Sequence, residues 1–176
     1  QAGAVRRSIG LVPQDIALYP SLTARENLRY FARILRVSRR NLEARVADCL
    51  EYVGLSDCAD RRIGTYSGGM KRRANLAVGI LHEPEILFLD EPTVGIDAQS
   101  RNLIMEQLRK LNRAGMTLVY TTHYMEEAHQ LCDDIAIVDM GKVMARGEPS
   151  ELVRDADDCE NLKDLFLALT GKHLRD

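Results

Sequence analysis

Ile86-Leu-Phe-Leu89 runs straight into Asp90-Glu91-Pro92. An apolar strand that delivers two adjacent carboxylates at its C-terminal end places them where open α/β sheets bind ligands. Neighbouring side chains on a strand face different ways. One carboxylate therefore suits the shell of a Mg²⁺ ion, and the other suits activation of a water. The same residues would also serve as a plain strand followed by an acidic turn. Ser67-Gly68-Gly69 stands directly before a helical segment. Glycines allow close backbone approach, and helix N-terminal N–H groups favour an anion. Lys71, Arg72 and Arg73 fall in the first turn of that helix, where cations oppose the dipole unless an anion is near. Solvated arginines beside a simple turn would read the same way. Gln14 follows Pro13 at one strand end, and His123 follows Thr117–Thr121 at another, level with Asp90. Taken singly, Gln14 carries no signal, and a lone His is commonly structural or solvated.

The elements that must position these residues alternate in type. Ser8–Val12 is a short β-rich run that stops at Pro13. Thr23-Ala-Arg-Glu26 has capping-box spacing and opens a helix through Leu28, Phe31, Ala32 and Leu35. A second helix is expected from Ser38, with Leu42, Val46, Cys49, Leu50 and Val53 as its apolar stripe and Gly54 just past its end. A third should run from about Met70 to His82, closed by Pro84. Ile86 to Leu89 is continuously apolar, which predicts a parallel strand buried on both faces. Asp97 can cap a helix through Leu103, Ile104, Leu108 and Leu111, and Gly115 closes it. Thr117–Thr121 reads as a further buried strand, followed by a helix through Met125, Ala128 and Leu131. Ile135–Val138 and Val143–Ala145 flank Gly141-Lys142 as a hairpin, and Leu162, Leu165, Phe166 and Leu169 share one face of a final helix. Strand–helix alternation predicts an α/β domain with a parallel sheet.

Composition narrows the function classes. The chain has 176 residues, with 24 Lys plus Arg against 26 Asp plus Glu, a formal charge of −2. That length fits one domain, and the balance excludes a polybasic nucleic-acid module and an acidic disordered tail. The apolar runs fall far short of the roughly 20 residues that span a bilayer. Gln1-Ala-Gly-Ala-Val-Arg-Arg7 lacks the apolar core of a signal peptide. Cys49, Cys58, Cys132 and Cys159 are dispersed, with no C-x-x-C pair, so a disulfide framework or structural zinc is not expected. These features describe a soluble intracellular domain.

Five segments fall in a telling order: Val12-Pro-Gln-Asp15, Tyr66-Ser-Gly-Gly-Met-Lys-Arg-Arg73, Ile86-Leu-Phe-Leu-Asp-Glu-Pro92, Val94-Gly-Ile-Asp97 and Thr121-Thr-His123. They resemble the Q-loop, signature motif, Walker B, D-loop and H-loop of an ATP-binding-cassette (ABC) ATPase. Tyr66–Arg73, Thr121–Ala128 and Leu165–Gly171 are similar to the exporter branch of multidrug or daunorubicin-resistance type. The resemblance implies a P-loop NTPase-like, mostly parallel sheet flanked by helices, with an inserted helical signature subdomain. Residues 1–14 and 84–150 would form the catalytic core, 15–83 the helical subdomain and 151–176 the C-terminal helices.

By the same resemblance, Asp90 would hold Mg²⁺ and Glu91 would polarise the attacking water. Gln14 would reach metal and water, and His123 would contact the γ-phosphate of ATP. Ser67, Gly68 and Gly69 would face the γ-phosphate of a nucleotide held by a second copy, and Asp97 would cross that dimer interface. The implied partners are a membrane-spanning permease subunit and a second ATPase domain, with no nucleic acid, at the cytoplasmic side of the membrane. Met70 stands where many family members have Gln. Nothing in the 176 residues matches G-x-x-x-x-G-K-[ST], the phosphate-cradling loop, which in relatives precedes the Q-loop. An incomplete cassette is expected, weak in ATP binding, without turnover of its own and prone to self-association. The alternatives are a soluble, non-transport ABC protein and a non-catalytic regulatory half-site.

Overall fold

The computed structural model describes residues 2–156 and 158–171. The chain divides into two compact units, residues 1–121 and 122–176.

In the first unit, helix α1 (Ala2–Ser8) leads into strand β1 (Ile9–Val12), which Pro13 ends. Helix α2 (Ala24–Ile34) opens on the expected capping box. The Glu26 N–H donates to Thr23 Oγ1 at 3.1 Å, and the Thr23 N–H donates to Glu26 Oε2 at 2.8 Å. Helix α3 spans Leu42–Tyr52 and buries Leu42, Val46, Cys49 and Leu50, with Gly54 left-handed just beyond its end. It starts four residues later than Ser38, because Ser38 to Asn41 closes a turn in which the Asn41 N–H donates to the Ser38 carbonyl. Helix α4 spans Gly68–Gly79 rather than Met70–His82. The Ser67 hydroxyl caps its start, and the chain leaves the helix at Ile80.

Helices α3 and α4 cap one another. Arg73 of α4 donates to the Val53 and Gly54 carbonyls at the C-terminus of α3, at 2.6 and 2.9 Å. Arg45 of α3 donates to the Ile80 and Leu81 carbonyls at the C-terminus of α4, at 2.7 and 2.9 Å. Each cation meets carbonyls at the negative end of the other helix.

Strand β2 (Ile86–Asp90) lies between β1 and strand β3 (Thr117–Thr121), parallel to both. Leu87 and Leu89 are fully buried, but burial on both faces is not what the sheet shows. Leu11, Phe88 and Val119 stand in register across the other face, 60%, 37% and 40% exposed. In a parallel sheet a second apolar face needs a second covering layer. Among the described residues this one is left open. Strands β1 and β3 are its edges. Helix α5 (Ala98–Arg113) packs on α4 and β3, and is tied to α3 by a reciprocal pair. The Tyr52 hydroxyl donates to the Gln107 carbonyl at 2.5 Å, and Gln107 Nε2 donates to the Tyr52 carbonyl at 3.0 Å.

The second unit holds helix α6 (Met125–Leu131), strands β4 (Ile135–Asp139) and β5 (Lys142–Gly147), and helices α7 (Pro149–Arg154) and α8 (Leu162–Thr170). The hairpin turns on Met140-Gly141, not Gly141-Lys142: Asp139 pairs with Lys142, and both turn residues have positive φ, 50° and 75°. That is the conformation a two-residue hairpin loop prefers, with glycine second. Ile137, Leu162 and Leu165 form the core, with Phe166 and Leu169 packed beside it, so the final helix packs on its own hairpin. All four cysteines are free, and no helix among the described residues is long and apolar enough to cross a membrane.

Candidate functional site

The two carboxylates at the tip of β2 are held from opposite sides. Asp90 Oδ1 accepts from Thr121 Oγ1 at 2.6 Å, its register partner on β3. Glu91 Oε2 accepts from Gln14 Nε2 at 3.4 Å, just past the end of β1. The chain turns sharply between them. Glu91 has a φ of 44°, its N–H donates to the Thr121 carbonyl at 3.1 Å, and its carbonyl accepts from the Val94 N–H at 3.2 Å. A non-glycine residue in the left-handed region is strained, and strain of this kind gathers at functional sites.

The donor set fits Mg²⁺. Asp90 is exposed and keeps Oδ2 beyond the Thr121 contact, and Gln14 spends its amide nitrogen on Glu91, which leaves its amide oxygen. Mg²⁺ takes oxygen ligands, from one or two protein groups, with waters and phosphates completing an octahedron.

The glycine pair heads α4. Ser67 Oγ accepts from the Met70 N–H at 3.2 Å, which leaves the hydroxyl proton to donate elsewhere. The two glycines differ. A Cβ at Gly68 would meet nothing nearer than 3.8 Å, the Gly95 carbonyl and Ile96. A Cβ at Gly69 would collide with Ser100 on α5. Gly69 is therefore explained by packing, and Gly68 by none of the protein's own contacts. Asp97 caps α5 as expected: Oδ1 accepts from the Ser100 N–H at 2.9 Å and Oδ2 from Ser100 Oγ at 2.7 Å. The Ser100 backbone hydrogen bond is the main cause holding the Asp97 carboxyl below its ordinary pKa. His123 belongs to the second unit, where its ring lies tilted at 36° against Tyr124, with centroids 4.2 Å apart.

Arg72 and Arg73 fall in the second turn of α4, not the first, and meet different partners from those their sequence suggests. Arg73 Nη1 donates to the end of α3, and Arg72 donates to the Gln14 carbonyl and, at 3.1 Å, to the Val94 carbonyl. Both guanidinium groups thus meet backbone carbonyls. Sequence reasoning also missed Thr121, which grips the Asp90 side chain and the Glu91 backbone together. Its place at the end of a strand, two residues before His123, was the available signal.

A parallel sheet with an Asp-Glu pair at its central strand tip, a Gln beside the Glu and a glycine-headed helix defines an ABC-type ATPase domain. Residues 1–94 match the ABC transporter family, and the chain belongs to it. It is 49% identical over 152 residues to the linearmycin resistance ATP-binding protein LnrL of Bacillus subtilis (strain 168), covering 86% of this chain and 49% of that protein. It is 42% identical over 160 residues to the Nod factor export ATP-binding protein I of Burkholderia orbicola (strain AU 1054), covering 91% of this chain and 53% of that one. The chain thus spans about half the length of these curated relatives. Among solved structures, the ATP binding subunit of an ABC transporter superposes with a TM-score of 0.81 at 26% identity, over 96% of this chain and 71% of that one. The cbiO1 protein of Clostridium perfringens, part of the ABC transporter complex cbiONQ, gives 0.76 at 29% identity, over 85% and 61%.

Proposed function

We propose that the chain is part of the ATP-hydrolysing subunit of an exporter, driving transport through a separate membrane-spanning permease. The reading rests on Gln14 meeting Glu91 beside an Asp90 held by Thr121. It is supported by relatives whose names are resistance and export ATP-binding proteins. In it, residues 1–14 and 84–150 serve as the catalytic core, 15–83 as the signature subdomain and 151–176 as C-terminal helices. The protein acts at the cytoplasmic face of the membrane without crossing it.

Glu91 accepts the proton of the attacking water, and Gln14 orients that water by holding the carboxylate that polarises it. Asp90 and the Gln14 amide oxygen would hold Mg²⁺, which when bound neutralises phosphate charge. His123 donates to the γ-phosphate. Ser67, Gly68 and Gly69 present hydroxyl and N–H groups to the γ-phosphate of a nucleotide on a second copy, and Asp97 faces that copy across the dimer. Catalysis is then positioning and charge stabilisation of an in-line transfer. The 176 residues contain no G-x-x-x-x-G-K-[ST]. The chain by itself is accordingly proposed to bind ATP weakly, to turn over none, and to self-associate through the open edges of β1 and β3.

The experiment is ATP hydrolysis by the intact protein with its permease in vesicles, wild type against Glu91→Gln. Loss of turnover with retained ATP binding is expected. Wild-type turnover in Glu91→Gln would overturn the reading. Turnover independent of any permease would favour the non-transport alternative.

A further inference from the structure

Four hydrogen bonds close a ring around the Gln14–Glu91 contact. Arg72 Nη1 donates to the Gln14 carbonyl. Gln14 Nε2 donates to Glu91 Oε2 at 3.4 Å. The Val94 N–H donates to the Glu91 carbonyl at 3.2 Å, and Arg72 Nη2 returns to the Val94 carbonyl at 3.1 Å. Three separate chain segments meet there: the loop after β1, the loop after β2 and the first turns of α4. The Arg72 side chain reaches both loops, five residues along α4 from the Ser67 cap.

We propose that Arg72 is a positioning residue that sets the Gln14–Glu91 geometry and couples it to the glycine-headed turn of its own helix. The proposal rests on the phosphoryl-transfer reading of Glu91, which it deepens by naming how the carboxylate is held.

The chemistry of the ring explains why this position is Arg. Both acceptors are neutral backbone carbonyls that diverge from one point. A planar guanidinium presents paired donors in a fixed fork and reaches both at once, whereas an ammonium is a point donor. Burial pushes the Arg72 pKa down while the Asp15 and Glu91 carboxylates oppose it, so the cation is partly desolvated among groups that favour its charge. A displacement of the α4 N-terminus, such as an anion at Ser67–Gly68 would impose, moves the fork. The fork then moves Gln14 and Val94, and through them the Glu91 carboxylate from both sides. The state of the glycine face is thereby felt at the carboxylate of the same chain. Arg73, the adjacent cation, takes no part: its Nη1 donates to the end of α3.

The test compares Arg72→Met and Arg72→Lys with wild type in the intact protein, with two readouts. The first needs no nucleotide: hydrogen exchange in peptides covering residues 13–18, 91–97 and 74–79. Arg72→Met should speed exchange in the first two segments together, by about tenfold or more, and leave the third unchanged. Arg72→Lys keeps the charge and the stem and should restore at most one of the two loops. Faster exchange in neither loop, in only one loop for Arg72→Met, or wild-type behaviour in Arg72→Lys would overturn the proposal. If Arg72→Met exchanges globally, the lysine variant decides alone. The second readout is ATP hydrolysis, where kcat should fall about tenfold or more with KM within about threefold. An equal fall in kcat and rise in KM would point to a ligand contact instead. A wild-type protein that hydrolyses no ATP would remove the functional reading of Glu91, while the exchange experiment would still decide the ring.

Discussion

A Cβ built on Gly69 would stand 2.6 Å from Cβ of Ser100, far inside contact distance. The second glycine of the pair is thus fixed by the close passage of α4 and α5, whereas Gly68 next to it has room for a methyl group. Gly69→Ala should destabilise the protein by about 1–3 kcal/mol, since the overlap falls on Cβ rather than on a mobile side-chain end. Gly68→Ala should leave the denaturant midpoint unchanged or slightly higher. If the phosphate-facing role of Gly68 holds, Gly68→Ala should nonetheless lower ATP turnover in the dimer. Urea unfolding beside steady-state hydrolysis checks both halves, and equal stability of the two variants would contradict the packing argument.

Glu91 carries a second conflict between stability and function. Its left-handed backbone costs a non-glycine residue about 1–2 kcal/mol. Glu91→Gly should therefore gain up to about 1 kcal/mol of stability, less whatever its side-chain contacts contribute, while turnover falls about 10²–10⁴-fold. Glu91→Gln should lose comparable turnover with no gain. Glu91→Ala lacks the same side-chain contacts, and a glycine variant no more stable than it would show that the backbone there is unstrained.

Much of this was legible in the sequence, and what was not has a common cause. The capping box at Thr23–Glu26, the Asp97 cap, the α3 stripe and the Asp90–Glu91 strand tip are local patterns, and each is found where its spacing puts it. The failures need a partner far along the chain. Arg72 and Arg73 look like anion ligands until the carbonyls of Gln14, Val94, Val53 and Gly54 fold back onto them. The close passage of Ser100 beside Gly69 is likewise not written in the glycine pair itself. The exposure of Phe88 depends on what covers the sheet, which the apolar run of β2 does not encode. Met140 takes a left-handed turn position that its type disfavours, so the hairpin register shifts by one residue from the reading of Gly141 alone.

The exchanged caps of α3 and α4 predict a paired effect. Arg73→Met removes the side-chain donor from two carbonyls at the end of α3, and Arg45→Met does so at the end of α4, where the Ile80 carbonyl keeps the Glu83 N–H. Hydrogen bonds from charged donors contribute about 1.5–3 kcal/mol each in favourable settings, so each variant should lose at least about 1.5 kcal/mol by urea unfolding. Arg45→Lys and Arg73→Lys should recover part of the loss. A loss below about 0.5 kcal/mol in both methionine variants would show the caps to be decoration.

Tyr52 makes the link between α3 and α5 sensitive to alkali. Burial, reinforced by the Glu106 carboxylate, pushes its phenol from 10.0 up to about 12. The folded protein therefore keeps a proton that the unfolded chain releases above pH 10. The stability this represents is complete below pH 10 and is lost as the pH rises toward 12. The hydroxyl donates to the Gln107 carbonyl, so losing that proton also breaks half of the reciprocal pair with α5. Tyr52→Phe removes the titrating group and the donor together. It should lower stability at pH 8 and flatten the decline between pH 10 and 12 relative to wild type. Denaturant midpoints across that range, with tyrosinate absorbance at 295 nm to follow ionisation, check the claim. Identical slopes for wild type and Tyr52→Phe would mean that the phenol titrates normally in the fold.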